Sequence, residues 1–217
     1  MTKILITGYK HSGTTMLMQL LRSHPQVGWI EFEESYIEVD KPKEWVVMMA
    51  QQRVPNLKKF AWGEKIPWGN RSNGKKAERA ISFSKKWLKF FEKDARILHI
   101  LRHPLDVAFS GRSYENYPKD TIKSIFNSLP FYTDFLNNST RNTTVIYEDL
   151  TRNPSEYLSK IFEFLKLNYD EKTVKKVISS DLKFGKINSD RAFAFERNGV
   201  KSDIDYDEII RKVKNKI

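Results

Sequence analysis

Two short basic segments hold the residues best suited to gripping an anion. The first is Gly8-Tyr9-Lys10-His11-Ser12-Gly13-Thr14-Thr15, whose glycines have the Gly-x4-Gly spacing of a phosphate loop. A loop of this kind aims the backbone N–H groups of Ser12 to Thr15 at an anion seated on a helix N-terminus. Thr14 and Thr15 add hydroxyl donors, and Lys10 and His11 add cationic ones. A nucleoside triphosphatase needs a lysine directly after the second glycine, and Thr14 stands there instead. That argues against ATP or GTP hydrolysis. The plainer reading is a glycine turn capped by Ser and Thr.

The second segment is Arg102-His103-Pro104-Leu105-Asp106-Val107-Ala108-Phe109-Ser110. Arg102 leaves the end of an apolar run, and Ser110 follows about two helical turns beyond the bend. Ligands in parallel sheets bind outside the carboxyl ends of the strands, so the loop and Arg102 are expected in one crevice. A guanidinium fork and a hydroxyl there suit a second phosphate. The alternative is an arginine that merely pairs with Asp106 at the sheet edge.

These segments must be positioned by an α/β fold, a central parallel sheet with a P-loop-like loop and flanking helices. Strands are expected at Ile4–Thr7, Val27–Phe32, Arg96–Leu101 and Thr144–Tyr147. Helices are expected at Thr14–Ser23, stopped by His24-Pro25, and at Lys43–Gln52, Lys76–Lys93, after Pro104, and at Thr121–Leu136. Asn153-Pro154 reads as a cap and first-turn pair opening a helix to about Leu165, with another at Glu171–Ser179. Asn56–Asn73, with Gly63, Pro67 and Gly69 around Trp62 and Trp68, reads as loop, and Phe184–Val200 as irregular. The chain is expected to form one domain over 1–217, with 201–217 as a basic terminal helix or tail.

Composition narrows the class. The 217 residues are 40% hydrophobic and 13% aromatic, which excludes disorder throughout. Cysteine is absent, so there is no disulfide framework, thiolate metal site or cysteine nucleophile. No apolar run approaches the roughly 18 residues of a spanning helix, and MTKILITGYK does not read as a secretory leader. A cytoplasmic location is the expectation. Lys+Arg 38 against Asp+Glu 27 gives +11, which suits an anionic partner without choosing among nucleic acid, membrane surface and phosphorylated or sulfated small molecules.

The segments resemble a family. Lys10-His11-Ser12-Gly13-Thr14-Thr15 is similar to the 5′-phosphosulfate loop of sulfotransferases, commonly Pro-(Lys/Arg)-Ser-Gly-Thr-Thr. Leu101 to Ser110 resembles their 3′-phosphate element, including the Arg-to-Ser interval. Val145-Ile146-Tyr147-Glu148-Asp149-Leu150, followed by Asn153-Pro154 and by Ile161-Phe162-Glu163-Phe164-Leu165, resembles their Tyr-Glu-Asp-Leu segment. The motifs stand in family order and span most of the chain. The resemblance implies the co-substrate 3′-phosphoadenosine 5′-phosphosulfate (PAPS), the product 3′-phosphoadenosine 5′-phosphate (PAP), and sulfuryl transfer to a hydroxyl or amine. In style the motifs are closest to the Golgi-type tyrosylprotein and carbohydrate enzymes.

Carried over, Ser12, Gly13, Thr14 and Thr15 bind the 5′ phosphate and sulfuryl group. Arg102 and Ser110 bind the 3′ phosphate, and Tyr147 contacts the adenine or serves as a core aromatic. Arg197-Asn198-Gly199 is similar to the late Arg-Lys-Gly element that closes on the 3′ phosphate. The chain departs from the pattern at the basic loop position, where His11 stands, with Lys10 in place of proline. The reaction wants a cation there as charge builds on the leaving phosphate. Protonated His11 or Lys10 supplies it. Lys65, in Glu64-Lys65-Ile66-Pro67-Trp68, resembles the Lys-x-Pro segment that points a lysine at the sulfuryl group; the plainer reading is a surface lysine.

Attack by a hydroxyl needs a general base. Glu34 best resembles the family glutamate and Glu33 is second, against an exposed acidic loop as the plain alternative. His99 reads as a core histidine, His24 as a helix stop, and His103 as a neighbour of Arg102. No metal is expected, since no ligand cluster is present. Two other functions compete. A nucleotide kinase-like phosphotransferase lacks its loop lysine. A non-catalytic basic nucleotide- or nucleic-acid-binding protein would use Lys85, Lys86, Lys89, Lys93 and the Arg211–Lys216 tail, but no nucleic-acid signature accompanies them. The acceptor is open among small molecule, carbohydrate and peptide, with its pocket expected from Trp29–Pro55 and Tyr114–Pro130.

Overall fold

The protein is described from a computed structural model. It covers residues 2–31, 61–68, 75–110, 122, 125–126, 133–135, 137–180, 182, 187, 192, 196, 204–213 and 216–217. Five strands form one sheet: β1 (Thr2–Tyr9), β2 (Val27–Glu31), β3 (Ala61–Trp68), β4 (Ala95–Leu101) and β5 (Asn142–Ile146). Their order is β2-β3-β1-β4-β5, and every pairing is parallel. The sheet and its flanking helices are the α/β architecture expected from the sequence.

The helices are α1 (Thr14–Arg22), α2 (Lys75–Phe91), α3 (Pro104–Ser110), α4 (Tyr147–Arg152), α5 (Pro154–Phe164), α6 (Glu171–Ile178) and α7 (Tyr206–Lys212). A parallel sheet must be covered on both faces, and β1 shows how the pleat divides them. Ile4 and Ile6 join α1, α5 and α6 in one core, with Leu17, Leu20, Leu21, Leu158, Phe162 and Val177. Leu5 and Tyr9 face the other way, against Trp87, Leu88 and Phe91 of α2. A third cluster seats α7 on the ends of β4 and β5, through Leu101, Ile146, Tyr206, Ile209 and Val213. The terminal residues also reach the sheet, where the Ile217 N–H donates to the Thr144 carbonyl at 2.9 Å.

Helix ends follow local chemistry. α1 stops as expected at His24, whose Nε2 lies 3.1 Å from the Asn168 carbonyl and whose Nδ1 accepts the Gln26 N–H. Asp170 caps α6 and Asp205 caps α7, each accepting a backbone N–H at 2.7 Å. Pro154 occupies the first turn of α5 as expected, but the Asn153 side chain makes no capping bond.

Two expectations are corrected. Asn56–Asn73 contains a strand, β3, which lies between β2 and β1. Its Gly63 passes so close to β1 that an added Cβ would come within 1.7 Å of the Ile4 carbonyl oxygen. That close approach explains a glycine in a buried strand. Tyr147 begins α4 rather than ending β5. The expected helix at Lys43–Gln52 lies outside the described residues. Among the described residues no helix is long and apolar enough to cross a membrane.

Candidate functional site

β1 is central, with β3 on one side and β4 on the other. Parallel strands bring their carboxyl ends to one edge, so the segments after β1, β4 and β5 meet there, near the end of β3. At this edge stand the Gly8–Thr15 loop, Lys65, Arg102 and Tyr147.

The loop turns through positive φ at His11 (70°) and Gly13 (105°). Such turns gather successive N–H groups into an anion-binding concavity. The Ser12 N–H is spent inside the loop on the Tyr9 carbonyl at 2.9 Å, which corrects its expected role as a backbone donor. Helical bonding begins with the Leu17 N–H to the Gly13 carbonyl. The N–H groups of Thr14 and Thr15 precede that bond and have no intrahelical acceptor. The Ser12 side chain is buried, and its hydroxyl has no hydrogen-bond partner among the described residues. It lies over Gly8, where an added Cβ would be 2.7 Å from its Oγ. A buried unpaired hydroxyl costs free energy, and a phosphate-type oxygen is an acceptor that relieves it.

Lys65 is buried at 1% exposure, which excludes the surface-lysine reading. Its register partner in β1 is Ile6, and both side chains take the α1 face of the sheet. From there Nζ donates to Thr15 Oγ1 at 3.0 Å. A cation thus stands directly against a loop hydroxyl. His11 presents its carbonyl to Arg102 and has its Nε2 buried. Lys10 is half-buried.

Arg102 joins the two basic segments. Its Nη1 donates to the His11 carbonyl at 3.2 Å, its Nη2 lies 3.5 Å from Asp106 Oδ2, and its guanidinium stacks 4.3 Å from the Tyr147 ring centroid. The Asp106 pairing weighed in the sequence is present, and it coexists with the bridge to the loop. Tyr147 is buried at 4% exposure, and its ring also lies on Gly13, where a Cβ would meet it at 2.6 Å. Ser110 is exposed at the end of α3, and its hydroxyl donates to the Val107 carbonyl at 3.1 Å.

A profile of the sulfotransferase domain family matches residues 1–216. The chain belongs to the sulfotransferase domain family. Its described fold agrees with solved sulfotransferase structures. The sulfotransferase domain of the Synechococcus PCC 7002 olefin synthase superposes with a TM-score of 0.62 at 18% identity, covering 99% of this chain and 94% of that one. The sulfotransferase domain of the curacin biosynthetic pathway gives 0.62 at 12% identity, covering 99% and 98%. A mouse sulfotransferase in complex with PAP gives 0.56 at 16%, covering 99% and 84%. A sequence search of the curated proteins returns no match.

Three further titratable groups of this sulfotransferase, His99, His103 and Glu148, are buried. His99, inside β4, is held down to about 3 by burial, as a core histidine should be. His103 is lowered to about 4 by burial and by Arg102 beside it. Glu148 is pushed up by burial, against the hydrogen bonds it accepts. Sequence reasoning assigned no role to Glu148 or Tyr206; their contact brings together residues from opposite ends of the last third of the chain. Glu33, Glu34, Arg197, Asn198 and Gly199 lie outside the described residues. No group of His, Asp and Glu able to hold a metal occurs among the described residues.

Proposed function

We propose that the chain, acting as one sulfotransferase unit, moves the sulfuryl group of PAPS to an acceptor hydroxyl or amine by direct in-line transfer. The observation that carries this reading is Lys65, a buried cation bonded to Thr15 of the loop. Gly13 to Thr15 and the Ser12 hydroxyl hold the 5′ phosphosulfate. Lys65 meets the negative charge that builds as the sulfur–oxygen bond to the leaving phosphate breaks. His11, or Lys10 beside it, adds to that charge. Arg102 and Ser110 take the 3′ phosphate, and Tyr147, stacked under Arg102, is the ring beside which adenine sits. Arg197-Asn198-Gly199 closes over the 3′ phosphate. Glu34, or Glu33, draws the proton from the acceptor.

The acceptor is a carbohydrate hydroxyl, a peptide tyrosine or a small metabolite, and the net charge of +11 favours an acidic one. Transfer of ³⁵S from labelled PAPS to a panel of sugars, peptides and phenols tests the reading, together with calorimetry against PAP. Labelled product and a PAP isotherm lost in Arg102→Ala are expected. No heat with PAP would overturn it.

A further inference from the structure

Arg102 stands at a bend between β4 and α3, and a buried carboxylate holds that bend. Glu148 is 2% exposed and lies in the first turn of α4. Its Oε1 accepts the His103 N–H at 2.8 Å, and its Oε2 accepts the Tyr206 hydroxyl at 2.7 Å. The Tyr206 ring packs edge-on against the His103 ring with centroids 4.8 Å apart. Three segments therefore converge on one carboxylate: the bend after β4, the start of α4, and α7. The same turn of α4 supplies Tyr147, the ring under the Arg102 guanidinium.

A buried carboxylate is costly even when paired, and apolar residues of similar volume often serve a core as well. Burial of α7 is already served by Tyr206, Ile209 and Val213 on Leu101 and Ile146. What an apolar side chain at 148 cannot do is accept the N–H of the residue after Arg102. That bond fixes the backbone from which the guanidinium reaches the His11 carbonyl and the ring of Tyr147.

We propose that Glu148 and Tyr206 are positioning residues for Arg102, setting the bend from which it meets the 3′ phosphate and making α7 part of the donor site. This rests on the PAPS reading given above. Glu148 acts through the His103 N–H, and Tyr206 holds Glu148 in place through its second oxygen. The contribution falls chiefly on the 3′-phosphate grip, because the 5′-phosphate loop also has the Ser12–Tyr9 and Lys65–Thr15 bonds, neither of which involves Arg102.

Calorimetry on the full chain with PAP and with adenosine 5′-phosphate, which lacks the 3′ phosphate, tests it. Glu148→Ala should weaken PAP by about tenfold or more, the scale of a lost hydrogen bond to a charged group, and leave adenosine 5′-phosphate within about twofold. Glu148→Gln keeps an acceptor for the His103 N–H and should restore most of the PAP affinity. Tyr206→Phe keeps the ring and should show a smaller loss with the same selectivity; it carries the test if Glu148→Ala does not fold. Equal weakening of both nucleotides, an unchanged ratio, or Glu148→Gln as damaging as Glu148→Ala would overturn the proposal. Wild-type protein that binds PAP no better than adenosine 5′-phosphate would instead remove the reading of the site, and the proposal with it.

Discussion

Lys65 Nζ donates to Thr15 Oγ1 at 3.0 Å, joining the third strand to the first helix at the mouth of the loop. The two residues are 50 positions apart, and only the β3–β1 register brings them together. The contact places a fixed charge where an anion would sit on the helix N-terminus. Fixed charges act on the step in which charge develops more than on ground-state binding. Lys65→Ala should therefore lower kcat by about 10²-fold or more while PAP affinity falls only a fewfold. Steady-state kinetics beside calorimetry separate the two, and equal losses would make Lys65 a binding contact only.

His11 stands at φ 70°, a conformation that ordinary side chains avoid and asparagine tolerates. His11→Asn keeps the turn and removes the imidazole, so it separates the side chain's contribution from backbone strain. Turnover should drop by about 10²-fold, with Lys10→Gln having the smaller effect. The reverse order would assign the charge to Lys10.

Gly13 combines φ 105° with a ring where its side chain would be. Gly13→Ala meets Tyr147 at 2.6 Å and is strained besides, so it should cost about 2 kcal/mol or more of stability. Urea unfolding measures this. Tyr147→Leu in the Gly13→Ala background should recover part of the loss by relieving the collision, while the φ strain stays. A Gly13→Ala protein as stable as wild type would mean the ring does not rest on the loop.

Local signals made much of this legible in advance. The glycine spacing fixed the loop, the apolar run Ile97–Leu101 announced β4, and the amphipathic pattern of α2 showed its buried face. β3 was hidden because Gly63, Lys65 and Pro67 interrupt any strand pattern. Gly63 answers to the Ile4 carbonyl, and Lys65 to Thr15. Both are tertiary demands that outweigh propensity. Glu148 was quoted in a motif yet its work was invisible, because Tyr206 lies 58 residues away. The basic character of the last helix pointed to solvent or nucleic acid, while its apolar side was spent on the sheet ends.

Buried neutral histidines make the last prediction, a loss of stability in mild acid. Burial holds His99 down to about 3 and His103 to about 4, and it lowers His24 as well, all from 6.5. Below pH 6.5 the unfolded chain binds protons that the folded chain refuses, so stability is full above 6.5 and is lost as pH falls toward those folded values. Glu148 works in the opposite sense, since its raised pKa makes its contribution larger as pH falls. The prediction rests on His99 and His103, both of which stay neutral at pH 5 in the folded chain. Each histidine that stays neutral at pH 5 costs about 2 kcal/mol there. Urea midpoints at pH 7.5 and pH 5 should show a clear drop. His99→Gln, which does not titrate, should shrink that drop whatever its effect at pH 7.5. A drop of the same size in His99→Gln would mean that His99 is not held neutral inside β4.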